Sequence, residues 1–200
     1  MAVTNLELYA LMKAKKGGGG SAVTEETLKA LIDKTITSID IPNGVTKIGG
    51  YMFYNCTNLA SVTIPDTVTV VDHNSFRGCS SLTSVTIPDG VVNIGSAAFY
   101  GCSSLTSVSI PSSVTTIGST SIFQNCTNLE NVTLGEGFNA NGLDLSVSTL
   151  YSKETLGKML YRLADRTGQT AYTITIGSTN IAKLDEVTIA TVTEKNWTLA

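Results

Sequence analysis

Five side chains in this sequence could do strong chemistry: the thiols of Cys56, Cys79, Cys102 and Cys126, and the imidazole of His73. Thiolates and imidazoles are common nucleophiles and zinc ligands. Their spacing argues against both uses. The cysteines recur at steps of 23, 23 and 24 residues, with no C-x-x-C pair and no neighbouring histidine to complete a zinc site. Side chains repeated in this way leave stacked units in parallel directions, a poor geometry for a disulfide, so buried free thiols are expected. A Ser-His-Asp apparatus would have to use His73, the single histidine. Its nearest acid, Asp72, is its chain neighbour, a placement that seldom lets two side chains converge on one site. The positions equivalent to His73 hold Gly50, Ser96 and Ser119, which reads as an exposed turn. No catalytic residue, metal or cofactor is therefore expected. Gly17 to Gly20 follow no strand and lead to no Gly-Lys-Ser/Thr, so they read as a tether and not a phosphate loop. Asp66 and Asp89 each follow an Ile-Pro pair and would stack, which could attract a cation. Their equivalents Asn43 and Ser112 make turn formation the simpler explanation.

What positions these residues is a repeat. Ile-Pro falls at Ile41-Pro42, Ile64-Pro65, Ile87-Pro88 and Ile110-Pro111, a constant step of 23 residues. Phe53, Phe76, Phe99 and Phe123, and Leu59, Leu82, Leu105 and Leu129, keep the same step, stretched by one residue at the last. A fixed period in the twenties marks a solenoid, in which no unit buries its apolar face alone and each must stack on its neighbours. Within a unit, Leu59-x-x-Val62-x-Ile64 alternates like a half-buried strand that Pro65 ends, and a second short strand follows at Val68 to Val71. Stacking sets like on like, one strand spacing (about 4.8 Å) apart. Two surface rows result. The outward face of the first strands carries Ser38, Ser61, Ser84, Ser107 and Asn131 in one row, and Asp40, Thr63, Thr86, Ser109 and Thr133 in the next. That is a flat hydrogen-bonding platform suited to a partner's backbone or a glycan; its simpler reading is a solvated β face. The turn after each Phe carries Tyr54, Arg77, Tyr100 and Gln124. Tyrosine and arginine are the residues that anchor interfaces, and their alternation permits cation–π contact.

The two ends differ from the middle. Residues 5–16 read as a short amphipathic helix, 17–21 as a flexible tether, and 24–34 as a helix capped by Thr24 that lids the first coil. After about residue 143 the period fades. Ser152 can cap a helix running through Arg166, Tyr172–Ile176 alternates like a strand, Asp185 can cap a last helix, and Trp197–Leu199 closes the chain. The expected organisation is 1–21 helix and tether, 22–35 N-terminal cap, 36–142 repeats, and 143–200 an αβαβ capping module. The net charge of −3 gives no footprint for nucleic acid. No apolar run approaches the roughly 20 residues of a membrane helix, so no membrane insertion is expected. Met1 to Lys16 does not read as a secretory signal, because Lys13, Lys15 and Lys16 follow the apolar part and Glu7 breaks it.

The unit LTSVTIPDGVVNIGSAAFYGCSS, residues 82–104, resembles the BspA-like, Treponema-type leucine-rich repeat family: Leu, Val, Ile-Pro, Val, Ile-Gly, Phe and Cys all fall in register. The departures are Asp72, where Gly49, Gly95 and Gly118 stand in sister repeats, and one extra residue between Gly118 and Phe123. The C-terminal stretch is similar to segments that follow such repeats in proteins of gut bacteria and their phages. The resemblance implies an α/β, β-rich fold: a right-handed leucine-rich-repeat solenoid with a helical N-cap and the C-terminal module. It also implies a non-enzymatic protein- or glycan-binding, adhesion module of bacterial origin at the cell surface or secreted. Residues Ser61, Thr63, Ser84, Thr86, Ser107, Ser109, Tyr54, Arg77 and Tyr100 would form its binding surfaces. The alternative is a phage-derived, tail-associated virion protein, attached to a larger assembly through residues 1–16.

Overall fold

The computed structural model describes residues 36–41, 43–118 and 121–200. The helices expected over 5–16 and 24–34, and the tether between them, lie outside the described residues, as does any attachment through residues 1–16.

Four repeats contribute a first strand and a two-residue second strand, and a fifth contributes a first strand. The first strands are β1 (Ser38–Asp40), β3 (Ser61–Thr63), β5 (Ser84–Thr86), β7 (Ser107–Ile110) and β9 (Asn131–Leu134). The second strands are β2 (Lys47–Ile48), β4 (Val70–Val71), β6 (Asn93–Ile94) and β8 (Thr116–Ile117). All pair in parallel, and the register equals the sequence period: Ser38 faces Ser61, Val85 faces Val108, and Val108 faces Val132. The second strands form one sheet in the order β2-β4-β6-β8. Two-residue strands persist because their Val and Ile side chains anchor the common interior: Ile48, Val71 and Ile94 are fully or almost fully buried.

The interior is built of columns. The rings of Phe53, Phe76, Phe99 and Phe123 stack at 5.0, 5.3 and 5.6 Å with interplanar angles of 11°, 2° and 14°. The cysteine column runs beside them. Cys79 Sγ donates to Phe53 O (3.1 Å), Cys102 Sγ to Phe76 O (3.3 Å) and Cys126 Sγ to Phe99 O (3.2 Å). Cysteine suits this place because it is a small hydrophobe that still carries a weak donor for the carbonyl of the preceding repeat. All four thiols are free and buried, as the spacing predicts. Burial, with Cys56 beside it, pushes the Cys79 thiol up. The Cys126 thiol, with burial, does the same to Cys102. Protonated thiols of this kind are neither nucleophiles nor metal ligands.

Gly49, Gly95 and Gly118 mark the ends of three second strands, and Asp72 takes the place of the fourth. A Cβ on Gly118 would meet Ser96 N at 2.5 Å, and one on Gly95 would run into the backbone nitrogen of His73. Asp72 N nonetheless makes the column's main-chain bond, to Ile48 O at 2.9 Å, as Gly95 N does to Val71 O at 2.7 Å.

Beyond the repeats lie β10 (Leu143–Asp144), α1 (Lys153–Tyr161), β11 (Tyr172–Thr175), α2 (Ser178–Ile181), α3 (Glu186–Glu194) and β12 (Trp197–Leu199), with a parallel sheet ordered β10-β11-β12. Ser152 caps α1 by accepting from Thr155 N (3.0 Å), and Asp185 caps α3 by accepting from Thr188 N (2.8 Å). α1 stops at Tyr161, five residues short of the expected Arg166. Tertiary pairing ends it: Leu163 forms a parallel bridge with Phe138, closed by Phe138 N to Arg162 O (3.0 Å) and Ala164 N to Phe138 O (2.9 Å). Arg166 is buried at 5% exposure. It donates to Asn139 Oδ1 (2.6 Å) and twice to Thr170 O (3.2 and 3.0 Å), and its guanidinium lies 3.4 Å from the centroid of the Tyr172 ring. These contacts replace the carboxylate a buried cation usually requires.

Candidate functional site

The first strands do not make one continuous sheet. β1 pairs with β3, β5 with β7, and β7 with β9, but β3 and β5 fall in separate sheets. The seams on either side are closed beyond their strands by Ile41 N to Thr63 O and Ile87 N to Ser109 O, each 3.0 Å. Across the β3–β5 seam Thr83 N reaches Ala60 O at 3.3 Å, and the corresponding bond from Ile64 N to Thr86 O is missing. Val62 is half-buried, whereas its counterparts Val85, Val108 and Val132 are buried.

A groove of about 580 Å³ lies over this seam and runs on across β7 and β9. Its lining carries the outward hydroxyl residues Ser61, Thr63, Ser84, Thr86, Ser109 and Thr133, the more buried Ile64, Ile87, Pro88, Pro111 and Leu134, and the carboxylates of Asp66 and Asp89. Arg162 closes the β9 end, where its Nη1 donates to Leu134 O at 3.1 Å. The structure thus brings together five of the six hydroxyl residues singled out in the sequence. Ser107 is the exception: half-buried between Ser84 and Asn131 in the sheet register, it does not line the groove.

The aromatic turn row lies elsewhere and is only partly joined. The Arg77 guanidinium sits 4.2 Å from the centroid of the Tyr100 ring and donates to Asn74 Oδ1 at 3.3 Å. Asn125 Nδ2 donates to the Tyr100 hydroxyl at 3.0 Å. Tyr54 stands edge-on to Tyr51 at 5.5 Å, and Tyr51 edge-on to His73 at 5.1 Å.

His73 corrects one sequence expectation. Its Nδ1 lies 2.9 Å from Asp72 Oδ1, so the two neighbours do converge. They do so because Asp72 Oδ1 also accepts from His73 N at 2.7 Å, which folds the carboxylate back over its own turn. Lys47 Nζ takes the other oxygen at 2.6 Å. Burial would raise the Asp72 carboxyl, but the hydrogen bonds from Lys47 and His73 outweigh it and hold it well below the usual carboxylate range. The carboxylate is tied up as a turn lock, and His73 remains exposed, as the turn reading predicts. Among the described residues, no group of three or more His, Cys, Asp or Glu is placed to hold a metal ion. No helix among them is long and apolar enough to cross a membrane.

Two features of the groove escaped the sequence reading. The open seam has no signal, since β3 and β5 are both Ser-Val-Thr. Arg162 belongs to no repeat; the pairing of Phe138 with Leu163 brings it to the groove, and only knowledge of that bridge could have found it.

A solved leucine-rich-repeat protein from Bacteroides ovatus is 30% identical, with a TM-score of 0.50, over 73% of this chain and 33% of that one. A leucine-rich cell surface protein from Faecalibacterium prausnitzii is 34% identical, with a TM-score of 0.45, over 50% of this chain and 32% of its own. The chain spans about a third of the length of these two relatives. The leucine-rich-repeat protein of T. pallidum shares the fold at 22% identity and a TM-score of 0.52, over 82% of this chain and 72% of that one. A comparison with curated proteins gave no match. The family model described as "BspA type Leucine rich repeat region" matches residues 28–143 in 6 copies. With parallel strands paired at the repeat step and more than half of its length matched, this chain belongs to the BspA-type leucine-rich repeat family.

Proposed function

We propose that this chain is a non-enzymatic recognition module, displayed at a bacterial surface, that binds a protein or carbohydrate partner through the hydroxyl-lined face of its first strands. In this reading the repeats wind as a right-handed solenoid over 36–142, with a helical cap over 22–35 and residues 143–200 as the opposite cap. The groove is the observation that carries the reading: five candidate hydroxyl residues share one concavity with apolar and charged residues in its lining. Surface display is the location that membership of the BspA-type family suggests. Rigid parallel strands hold the hydroxyls in fixed rows, so a partner binds by many modest contacts with little ordering cost.

The test is the pair Thr86→Lys and Ser109→Glu, two outward positions opposed in the β5–β7 register. The variant is expected to keep its circular dichroism spectrum and to melt within a few degrees of the parent, because surface substitutions cost roughly 0.5 kcal/mol or less. Capture of partners from a glycan panel and from host-protein arrays should fall at least about tenfold, as two desolvated polar contacts are lost. Undiminished capture by the folded variant would rule this face out.

A further inference from the structure

We propose that the groove holds an extended peptide segment of about five residues, a basic side chain over Asp66 and Asp89 and a carboxylate on Arg162. This rests on the groove being the binding face.

The charges are sorted along the groove. Asp66, Asp89 and Arg162 are the charged side chains in its lining, and they do not pair with one another. Asp66 and Asp89 follow β3 and β5, the first two strands to contribute, while Arg162 stands beyond β9, the last. Between them, the equivalent positions are the neutral Ser112 and then Glu136, which lies outside the lining. Arg162 gives one N–H to Leu134 O. Its remaining donors have no carboxylate partner among the described residues, and a guanidinium fork fits a carboxylate in bidentate fashion. From the β3 repeat to the β9 repeat is three strand spacings, about 14 Å, which an extended chain covers in four to five residues at about 3.3 Å each.

The lining also discriminates between partner classes. It contains no Tyr, Trp, Phe or His ring, so a sugar has no face on which to stack. An acidic polysaccharide would meet Asp66 and Asp89, and a neutral one would leave all three charges unused. A peptide answers each part: main-chain amides for the Ser and Thr hydroxyls, small side chains beside the Ile and Pro of the lining, and opposite charges toward the two ends. Complementary charges of this kind fix register and orientation more than they add affinity.

An NMR titration, which reads weak binding, tests this with two synthetic pentapeptides of one composition, acetylated and amidated at their ends so that only side chains carry charge. In Lys-Ser-Val-Ser-Glu the charges are apart; in Ser-Lys-Glu-Val-Ser they are adjacent. The separated-charge peptide is expected to shift the signals of Thr63, Thr86 and Ser109 and to bind several-fold tighter. Arg162→Gln, and separately Asp66→Asn with Asp89→Asn, should each weaken it roughly two- to fivefold, the range of an exposed ion pair. Asp66→Arg with Asp89→Arg should move the preference to a peptide with glutamate at both ends. Equal affinity for the two pentapeptides, or indifference to all three sets of variants, overturns the proposal. If Thr86→Lys with Ser109→Glu still abolishes capture of a partner that ignores Asp66, Asp89 and Arg162, the peptide reading fails while the binding face stands. If that pair changes nothing either, both fail.

Discussion

Asp72 replaces a glycine at a place where backbones of adjacent repeats nearly touch, and three hydrogen bonds hold it there. Because those bonds favour the charged form, its contribution to stability is complete above the unfolded carboxyl value of about 3.9 and is lost as pH falls through the depressed folded value. Asp72→Asn should therefore cost up to about 1 kcal/mol at pH 7. In urea melts the gap between variant and parent should begin to narrow below about pH 3.9 and close only once the pH has fallen through the depressed folded value, where both carry a neutral side chain. A gap that stays constant with pH would mean that the ion pair contributes nothing. At this scale the cysteines were legible and the Asp72–His73 pair was not. A column is written in the period, whereas the convergence of chain neighbours depends on one turn's torsions. Arg166 was equally invisible, because its partners Asn139, Thr170 and Tyr172 are assembled by three separate segments of the C-terminal region.

The elements follow from patterning wherever the period rules them. The Ser-x-Thr alternation and the Ile-Pro stop set the first strands, and the glycine column sets where the second strands end. Gly95→Ala tests that stop, since its methyl would press on the backbone of Asp72 and His73, which cannot rotate away. Overpacking of this kind costs about 1–3 kcal/mol, read as a lower urea midpoint at unchanged slope. A loss under 0.5 kcal/mol would show that the repeats can slide apart cheaply there. Outside the period the reading of elements weakens. α1 ended early because Leu163 was claimed by Phe138. α2 went unforeseen because it is four residues long and starts after Gly177, at φ 77°, without a side-chain cap. The open seam between two strands of identical sequence shows the same boundary, and nothing in the strands themselves accounts for it.

For the molecule as a whole, commensurate stacking makes length adjustable. Removing residues 82–104, one full period holding β5, β6, Phe99 and Cys102, joins Ser81 to Leu105 and sets Phe76 next to Phe123 in the column with the register unbroken. Stability in such arrays is close to a sum of repeat and nearest-neighbour contributions. The shortened chain should therefore still unfold in one transition by circular dichroism, at a lower midpoint. Removing 86–107 instead, one residue short of a period and with its junction inside a first strand, joins Val85 to Val108, and the one-residue slip within the strand turns its apolar face outward; that variant should not melt cooperatively. Equal behaviour of the two deletions would refute coil-on-coil register as the source of stability. The thiol column adds something of a different kind. Four sulfurs permit three pairings, and exchange among them needs a thiolate. Folding buries all four, bonds Cys79, Cys102 and Cys126 to carbonyls, and makes the central pair, Cys79 and Cys102, weaker acids. The native chain therefore requires neither an electron acceptor nor a shuffling catalyst, and scrambling is a hazard only of its unfolded form.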